Sequence, residues 1–572
     1  MRETLEHDGV QILGGMRKLL FGAAYTVISL IGLGGAHAQN GDAWFALLDA
    51  GNNQGSEQFM LFVTAPYATN IFVTMAGQAT KVLPVQPNGA AAFNIPLQWV
   101  MSSSATVEPK AIHAWDAVGG FSAYLVCQNG SSTEGTAMIP SKGWGRDYVI
   151  ASYNGFIGDS DVSNSPSEFV IVADADNTIC TITPAADVRQ ESLRDASPNT
   201  IAHPKGIPFV EVLNRGDAVQ YKTTHFLNDT DYDLTGTIVH SNNPIGILAG
   251  AQAANIPSAF QSPEYLCEMM PAVRLWAKSY YTAPFYPMNP GKEANTFLAV
   301  GTKANQTIQR YDLDSGERTH CILPYPYAVN WNHNISKPSR WSSDAPFMLV
   351  QYANSSTYPD GKDSLGAPSE VVVRPVEQYS KSIGFEMPFI NADVTPNTSC
   401  VNIIAKIATD KSLKFNGKSI VSFPPLLIDS IYEVYRIVGH YSGYLVTCDS
   451  PVAVYNYCYG YKLGYALTSS PNLDYLGPDS STNAVRESAS APTSLAKLLL
   501  SSDNKFARAI VPANWTQPLT LEIENVLGQC VATETVATTT IDFDLSSLSS
   551  GVYFYHLSCG NESAAGKLAI RK

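Results

Sequence analysis

One pattern recurs three times along the chain and limits the folds open to it. A polar pair, a proline and an apolar run appear as Ser241-Asn242-Asn243-Pro244-Ile245-Gly246-Ile247-Leu248. They return as Ser343-Asp344-Ala345-Pro346-Phe347-Met348-Leu349-Val350 and as Cys448-Asp449-Ser450-Pro451-Val452-Ala453-Val454-Tyr455. Proline fixes φ and donates no hydrogen bond, so the pattern reads as a turn feeding a strand whose first residue is the proline. The prolines stand 102 and 105 residues apart, which makes this a β-repeat of large units.

Two further echoes keep the same order. Apolar segments followed by an Asn/Asp turn and a second strand occur at Phe59-Met60-Leu61-Phe62-Val63 with Ile71-Phe72-Val73, and at Phe169-Val170-Ile171-Val172-Ala173 with Ile179-Cys180-Thr181-Ile182. They recur at Phe297-Leu298-Ala299-Val300 with Thr307-Ile308, and at Val401-Asn402-Ile403-Ile404 with Leu413-Lys414-Phe415. Asn and Asp tolerate left-handed turns, and each pair reads as a hairpin. The third echo is aromatic, small, basic, polar and again aromatic or aliphatic. It runs Trp144-Gly145-Arg146-Asp147-Tyr148, Trp276-Ala277-Lys278-Ser279-Tyr280 and Tyr379-Ser380-Lys381-Ser382-Ile383. Four units are expected over residues 56–477, the first lacking the proline at Gly119 to Val126 and the fourth stopping early, near Leu476. The fold class is all-β, with tandem β-sandwich-like units and a closed or propeller-like array as the alternative.

Composition agrees with many short strands. The chain is 45% hydrophobic and 15% charged, which suits a folded protein. Its 36 basic and 50 acidic residues give a net charge of −14 without a dense Lys/Arg cluster, so no nucleic-acid partner is expected.

The flanks read differently. Met16-Arg17-Lys18, an apolar run from Leu19 to Leu33 and Ala36-His37-Ala38 before Gln39 form a signal peptide, with cleavage after Ala38. Residues 1–38 are therefore a leader, with Met16 as an alternative start, and no later segment is long and apolar enough to span a bilayer. Residues 478–505 are rich in small polar residues and read as a linker. Residues 506–572 alternate with period two and read as a small β-sandwich.

The segments His113-Ala114-Trp115-Asp116, Tyr124-Leu125-Val126, Ile139-Pro140, Trp144 to Tyr148 and Ser167-Glu168-Phe169, with Gly250, Pro271, Trp276 and Asp449 to Tyr455, resemble the IgGFc-binding protein N-terminal domain family. The resemblance implies an extracellular binding or adhesive module, immunoglobulin Fc being the ligand in the family's name. The terminal segment resembles the type IX secretion system C-terminal sorting domain, type A. Its matching residues are Gly528 in the Leu-Gly-Gln turn, Asp544, Leu545, Leu548, Gly551, Val552, Tyr553, Gly566 and Lys567. This implies export across the outer membrane of a Gram-negative bacterium by the type IX machinery, followed by surface attachment or release.

Candidate chemistry is sparse. Asp229, Asp231 and Asp233 alternate ahead of Gly236, but His240 stands where a calcium loop needs an acid, so an acidic turn is the reading and no metal or cofactor is expected. Gly439-His440-Tyr441-Ser442-Gly443 has its serine one place late for a nucleophile elbow. The histidines share no spacing. Trp144, Arg146, Tyr148, Trp276, Lys278 and Tyr280 are the candidate ligand contacts, because exposed aromatic and basic residues anchor sugars and proteins. Their recurrence also fits repeat-defining core positions. Cys530 and Cys559 make either a bridge worth about 3–4 kcal/mol or two free thiols. The expected protein is a non-enzymatic, secreted or surface-displayed adhesion protein. It would recognise an extracellular glycoprotein, immunoglobulin-like or matrix ligand through loops that differ between units, such as 189–208 and 354–370. The alternatives are a secreted hydrolase with a loop-assembled site and a surface-layer component.

Overall fold

The computed structural model describes residues 42–473 and 497–570, apart from connecting segments of which 387–397, 191–199, 157–164, 511–518 and 225–231 are the longest. The leader, with Ala36, Ala38 and Gln39, lies outside the described residues. The chain divides into two compact bodies, residues 1–481 and 482–572.

The second unit shows the plan of the first body. Its crossing strand, Ile238–Ala254, joins the two halves of one eight-stranded sheet, which serve as an outer and an inner sheet. Residues Ile238 to Ser241 lie between Gly145–Val149 and Thr178–Thr183, and Phe209–Leu213 completes this outer sheet. Residues Ile245 to Ala251 lie between Ser167–Ala173 and Glu264–Met269, and Ala218–Lys222 extends the inner sheet to Thr106–Glu108. Ser339–Ala353 and Gly443–Gly460 play the same part in the third and fourth units. In the first unit the crossing strand is divided into Ile112–Trp115 and Ser122–Asn129, where the sequence lacks the proline. The unit's leading strand is Asp42–Phe45, ahead of residue 56. The fourth unit carries its full set of strands to Thr468.

The prolines are therefore inside long strands rather than at their first residues. The ladders are interrupted between Ser241 and Ile245, and Pro244 occupies the corner where the strand leaves one sheet for the other. A residue without an N–H loses nothing there. The polar residues before it brace the preceding turn. Asn242 Oδ1 accepts the Ile179 amide at 2.7 Å, and Asn242 Nδ2 donates to the Asn177 carbonyl at 3.0 Å.

The expected hairpins are corrected in the same way. Ser167–Ala173 and Thr178–Thr183 pair with different halves of the crossing strand and not with each other, and Glu57–Ala65 and Thr69–Met75 lie in different sheets. Asn177 and Asn305 do take positive φ, 55° each, but their turns carry the chain between layers. Each apolar segment meets the crossing strand instead of its successor.

The four units are sandwich-like, and they also close into a ring. Their last strands, Ser132–Ala137, Glu264–Met269, Ser369–Val372 and Leu463–Thr468, lie around a common centre with the fourth beside the first. Four cores fill the seams between successive inner sheets, and alternate residues of one strand serve two of them. Val170 and Val172 pack towards the first unit, Phe169 and Ile171 towards the third. Leu298 and Val300 face the second unit, Phe297 and Ala299 the fourth. The closing seam joins Met60, Phe62, Tyr124 and Val126 to Val401, Ile403 and Val454.

Side chains bridge the inner strands at the centre. Glu134 Oε1 accepts the Ala466 amide at 3.3 Å and Glu134 Oε2 the Glu370 amide at 2.9 Å. Glu268 Oε1 accepts Val372 N at 3.1 Å, and Glu264 Oε1 accepts Thr133 N at 2.6 Å. These carboxylates occupy edges that would otherwise leave amides unpaired in a dry interior. Burial raises the pKa of all four of Glu134, Glu264, Glu268 and Glu370, that of Glu268 to about 7 against the opposing pull of Arg374.

The second body has a three-stranded sheet, Lys497–Leu500, Phe506–Ile510 and Thr540–Asp544, and a four-stranded one, Cys530–Val536, Leu519–Asn525, Gly551–Cys559 and Glu562–Ile570. Leu519, Leu521 and Ile523 alternate inward, with Leu545, Leu548, Tyr553 and Leu557 also buried. Gly551 and Val552 open one strand, Gly566 and Lys567 lie opposite Tyr555 and Phe554, and Asp544 pairs with Phe506. Gly528 lies outside the described residues. Cys530 and Cys559 are both free thiols. They stand opposite Glu524 and Leu519, at the two ends of one strand, so of the two alternatives the bridge does not form.

Candidate functional site

The recurring aromatics are architectural. Trp144, Tyr148, Trp276 and Tyr280 are at most 5% exposed, which leaves them no face for a ligand. Trp144 Nε1 donates to the Ile139 carbonyl and Trp276 Nε1 to that of Pro271, both at 3.1 Å. The Tyr148 hydroxyl donates to the Ile245 carbonyl and the Tyr280 hydroxyl to that of Phe347, each the residue after the corner proline. The same hydroxyls accept the amides of Gly145 and Ala277 at 3.1 and 3.0 Å. Each tyrosine thus ties its leading strand to the bend of the crossing strand. Gly246 completes the fit, since a Cβ there would lie 2.3 Å from Trp144 Cζ2. Arg146 is half-buried and Lys278 exposed, on strands otherwise committed to packing. Of the acidic turn, Asp233 Oδ1 accepts Thr235 N at 2.9 Å, and Asp229 and Asp231 lie outside the described residues.

A second charged group is buried between the first two units. Lys222 Nζ lies 2.5 Å from Asp49 Oδ2, and the Ser104 hydroxyl donates to the Arg189 carbonyl at 2.7 Å. Burial raises the pKa of Glu168 against the charge of Lys222, and lowers that of Arg189 to about 10 against the charge of Glu168. Its two acids and two bases balance, and the group reads as part of the seam.

An open cleft of about 470 Å³ lies on the outer sheet of the third unit. Its floor is two cross-strand rungs. Arg318, Tyr311 and Arg340 stand directly opposite one another on Arg318–Leu323, Gln306–Asp312 and Ser339–Ala353. His320, Gln309 and Ser342 form the next rung. Period-two geometry places all six on one face. The rung continues to Tyr281, opposite Arg340.

Both guanidinium groups are held. The Arg318 guanidinium lies over the Tyr311 ring, 5.3 Å from its centroid. Arg340 Nη1 lies 3.6 Å from Asp429 Oδ2, contributed by the fourth unit. Asp429 is fixed in turn, its Oδ1 accepting the amides of Ile431 and Tyr432 at 2.7 and 2.8 Å. Tyr281 packs against Tyr432 with centroids 4.1 Å apart and the rings tilted by 33°, and burial together with the Asp429 charge raises its hydroxyl pKa. The arrangement offers forked donors and hydroxyl partners to an anion.

Residue-level reading of the sequence misses this cleft. Its signal lies in the repeat itself: six residues before the corner proline stand Ile238, Arg340 and Leu445. The scaffold accepts an apolar residue there, so the arginine is not required by the fold.

The family model for IgGFc binding protein matches residues 134–478. The chain belongs to the IgGFc binding protein family. That match takes in the second to fourth units and the first unit's inner strand. The model for the secretion system C-terminal sorting domain matches residues 507–571. This family member is accordingly secreted by the type IX machinery and attached to the cell surface. No curated protein matches the chain. Among the described residues, no helix is long and apolar enough to cross a membrane.

Proposed function

We propose that this secreted IgGFc binding family member is an adhesion protein whose work is recognition rather than catalysis, and that it holds an extracellular glycoprotein or matrix protein on the outer sheet of its third unit. The observation that carries this reading is the open Arg318, Tyr311 and Arg340 rung, present in one unit of a scaffold that forms the same sheet elsewhere without it. Cations and an aromatic ring at the floor of a cleft suit holding a partner, and Tyr and Arg are the residues that dominate binding hot spots. The test is an array of serum and matrix glycoproteins probed with the full-length protein. Specific retention is expected; silence across the array, with turnover of generic ester, glycoside or peptide substrates, would sink the reading.

One observation favours a second reading, a surface-layer component. Among the described residues, Phe209–Leu213 is an edge strand of the second unit's outer sheet, and Val210 and Val212 are 60% and 53% exposed beside Ile179. An apolar edge of this kind supports self-association. Concentration-dependent assembly of the purified protein would favour it over adhesion.

A further inference from the structure

We infer that the cleft on the third unit is a subsite for an acidic saccharide, whose carboxylate or sulfate lies between Arg318 and Arg340. This rests on the adhesion reading and names the chemistry its ligand presents.

The two arginines flank Tyr311 on neighbouring strands, which places their backbones about 10 Å apart, within the converging reach of two long side chains. Neither is a loose surface charge. Arg318 is steadied on the Tyr311 ring, and Arg340 by the buried Asp429, itself held by two backbone amides. Held guanidinium forks match the paired oxygens of a carboxylate or sulfate, and fixing them beforehand reduces the ordering cost of binding.

The second rung sets the rest of the ligand. His320, Gln309 and Ser342 lie about 7 Å along the strands from the arginine rung, roughly one sugar ring away. They offer hydrogen-bond donors and acceptors suited to hydroxyl groups. A simple inorganic anion would leave this rung unused, whereas an acidic sugar spans both. Asp429 lies against Arg340 on the fourth-unit side, so of the two charged forks Arg318 is the freer to take a ligand.

Unit comparison separates this from packing. At the positions of Arg340 and Tyr311 the second unit has Ile238 and Thr183, which pair with each other. Such a face carries no anion site, yet the sheet is built the same way.

The test measures binding of sialyllactose, a chondroitin sulfate disaccharide and neutral lactose to the full-length protein by calorimetry. The expected result is binding of at least one acidic sugar, no binding of lactose, and weakening as salt rises from about 0.05 to 0.5 M. Arg318→Gln, an exposed position that leaves Asp429 paired, should weaken it by about tenfold or more, and Arg318→Gln with Arg340→Gln should abolish it. The sialyl and sulfate arms decide which acid is preferred. Equal binding of lactose, an unchanged affinity in Arg318→Gln, or failure of both acidic sugars to bind would overturn the subsite. Glycoprotein capture that survives the double variant would overturn the subsite and the placement of the partner on the third unit, while leaving adhesion itself intact.

Discussion

The Glu134 carboxylate accepts the backbone amide of Ala466 across 332 positions of sequence, and this bond joins the first unit to the last. The same side chain also takes the Glu370 amide from the third unit. Glu134→Ala removes both acceptors and should cost about 2–4 kcal/mol, since each orphaned buried amide costs about 1–3 kcal/mol. Chemical denaturation of the purified protein measures it, and a loss under about 1 kcal/mol would show that the closure does not depend on this carboxylate.

A pH dependence follows from Glu268. Its folded pKa is raised from 4.5 to about 7, chiefly by burial, so its stabilising contribution is complete below the unfolded value and is lost as pH rises through about 7. The shift is worth about 3 kcal/mol at most. Glu268→Gln keeps an acceptor for Val372 N and removes the titration. Relative to wild type, the variant should gain stability between about pH 5 and pH 8; parallel stability curves for the two proteins would contradict the assignment.

The corner tyrosines should act alike. Tyr148→Phe and Tyr280→Phe each leave a bent crossing strand with an unpaired carbonyl and should cost about 1–2 kcal/mol. Lying in different units, their effects should add to within about 0.5 kcal/mol in the double variant, as thermal denaturation can check.

Export provides a cellular readout. Deleting residues 507–571 should abolish surface attachment while leaving the ring folded. Cell fractionation and surface protease protection follow the protein, and normal display of the truncated form would refute the role of the sorting module.

Thiol chemistry distinguishes the two cysteines of that module. Cys530 is exposed, whereas Cys559 is buried, with 5% of its surface accessible. A maleimide should therefore modify Cys530 in the native protein and reach Cys559 on unfolding. Mass spectrometry of the two states reads this directly.

The repeat and its period are plain in the sequence because turn chemistry is local. Pro244, Pro346 and Pro451 each mark a chemical need, a residue without a donor at a corner. What the corner joins depends on partners far along the chain, and there the local reading fails. Asn177 announces a turn equally well in a hairpin and between layers, so nearness in sequence pairs Ile171 with Ile182 although they lie opposite Ile247 and Val239, on different halves of the crossing strand. One clue to closure is present in Phe169-Val170-Ile171-Val172-Ala173: an unbroken apolar run means a strand buried on both faces, which one isolated sandwich does not provide. Trp144 and Tyr148 stand out as aromatics, but side-chain chemistry alone does not reveal burial. The cleft is hidden for the opposite reason, since Arg318, Tyr311 and Arg340 become neighbours only through strand register.

Similarity to the family begins at Glu134, late in the first unit, yet Met60, Phe62, Tyr124 and Val126 ahead of it fill half of the closing seam. An open solenoid can shed a terminal repeat and keep the rest; a ring with a fixed angle at each seam has a fixed copy number. The first unit's sequence is therefore free to drift, but its volume is not. The portion of this chain that similarity delimits is smaller than the portion that must fold together.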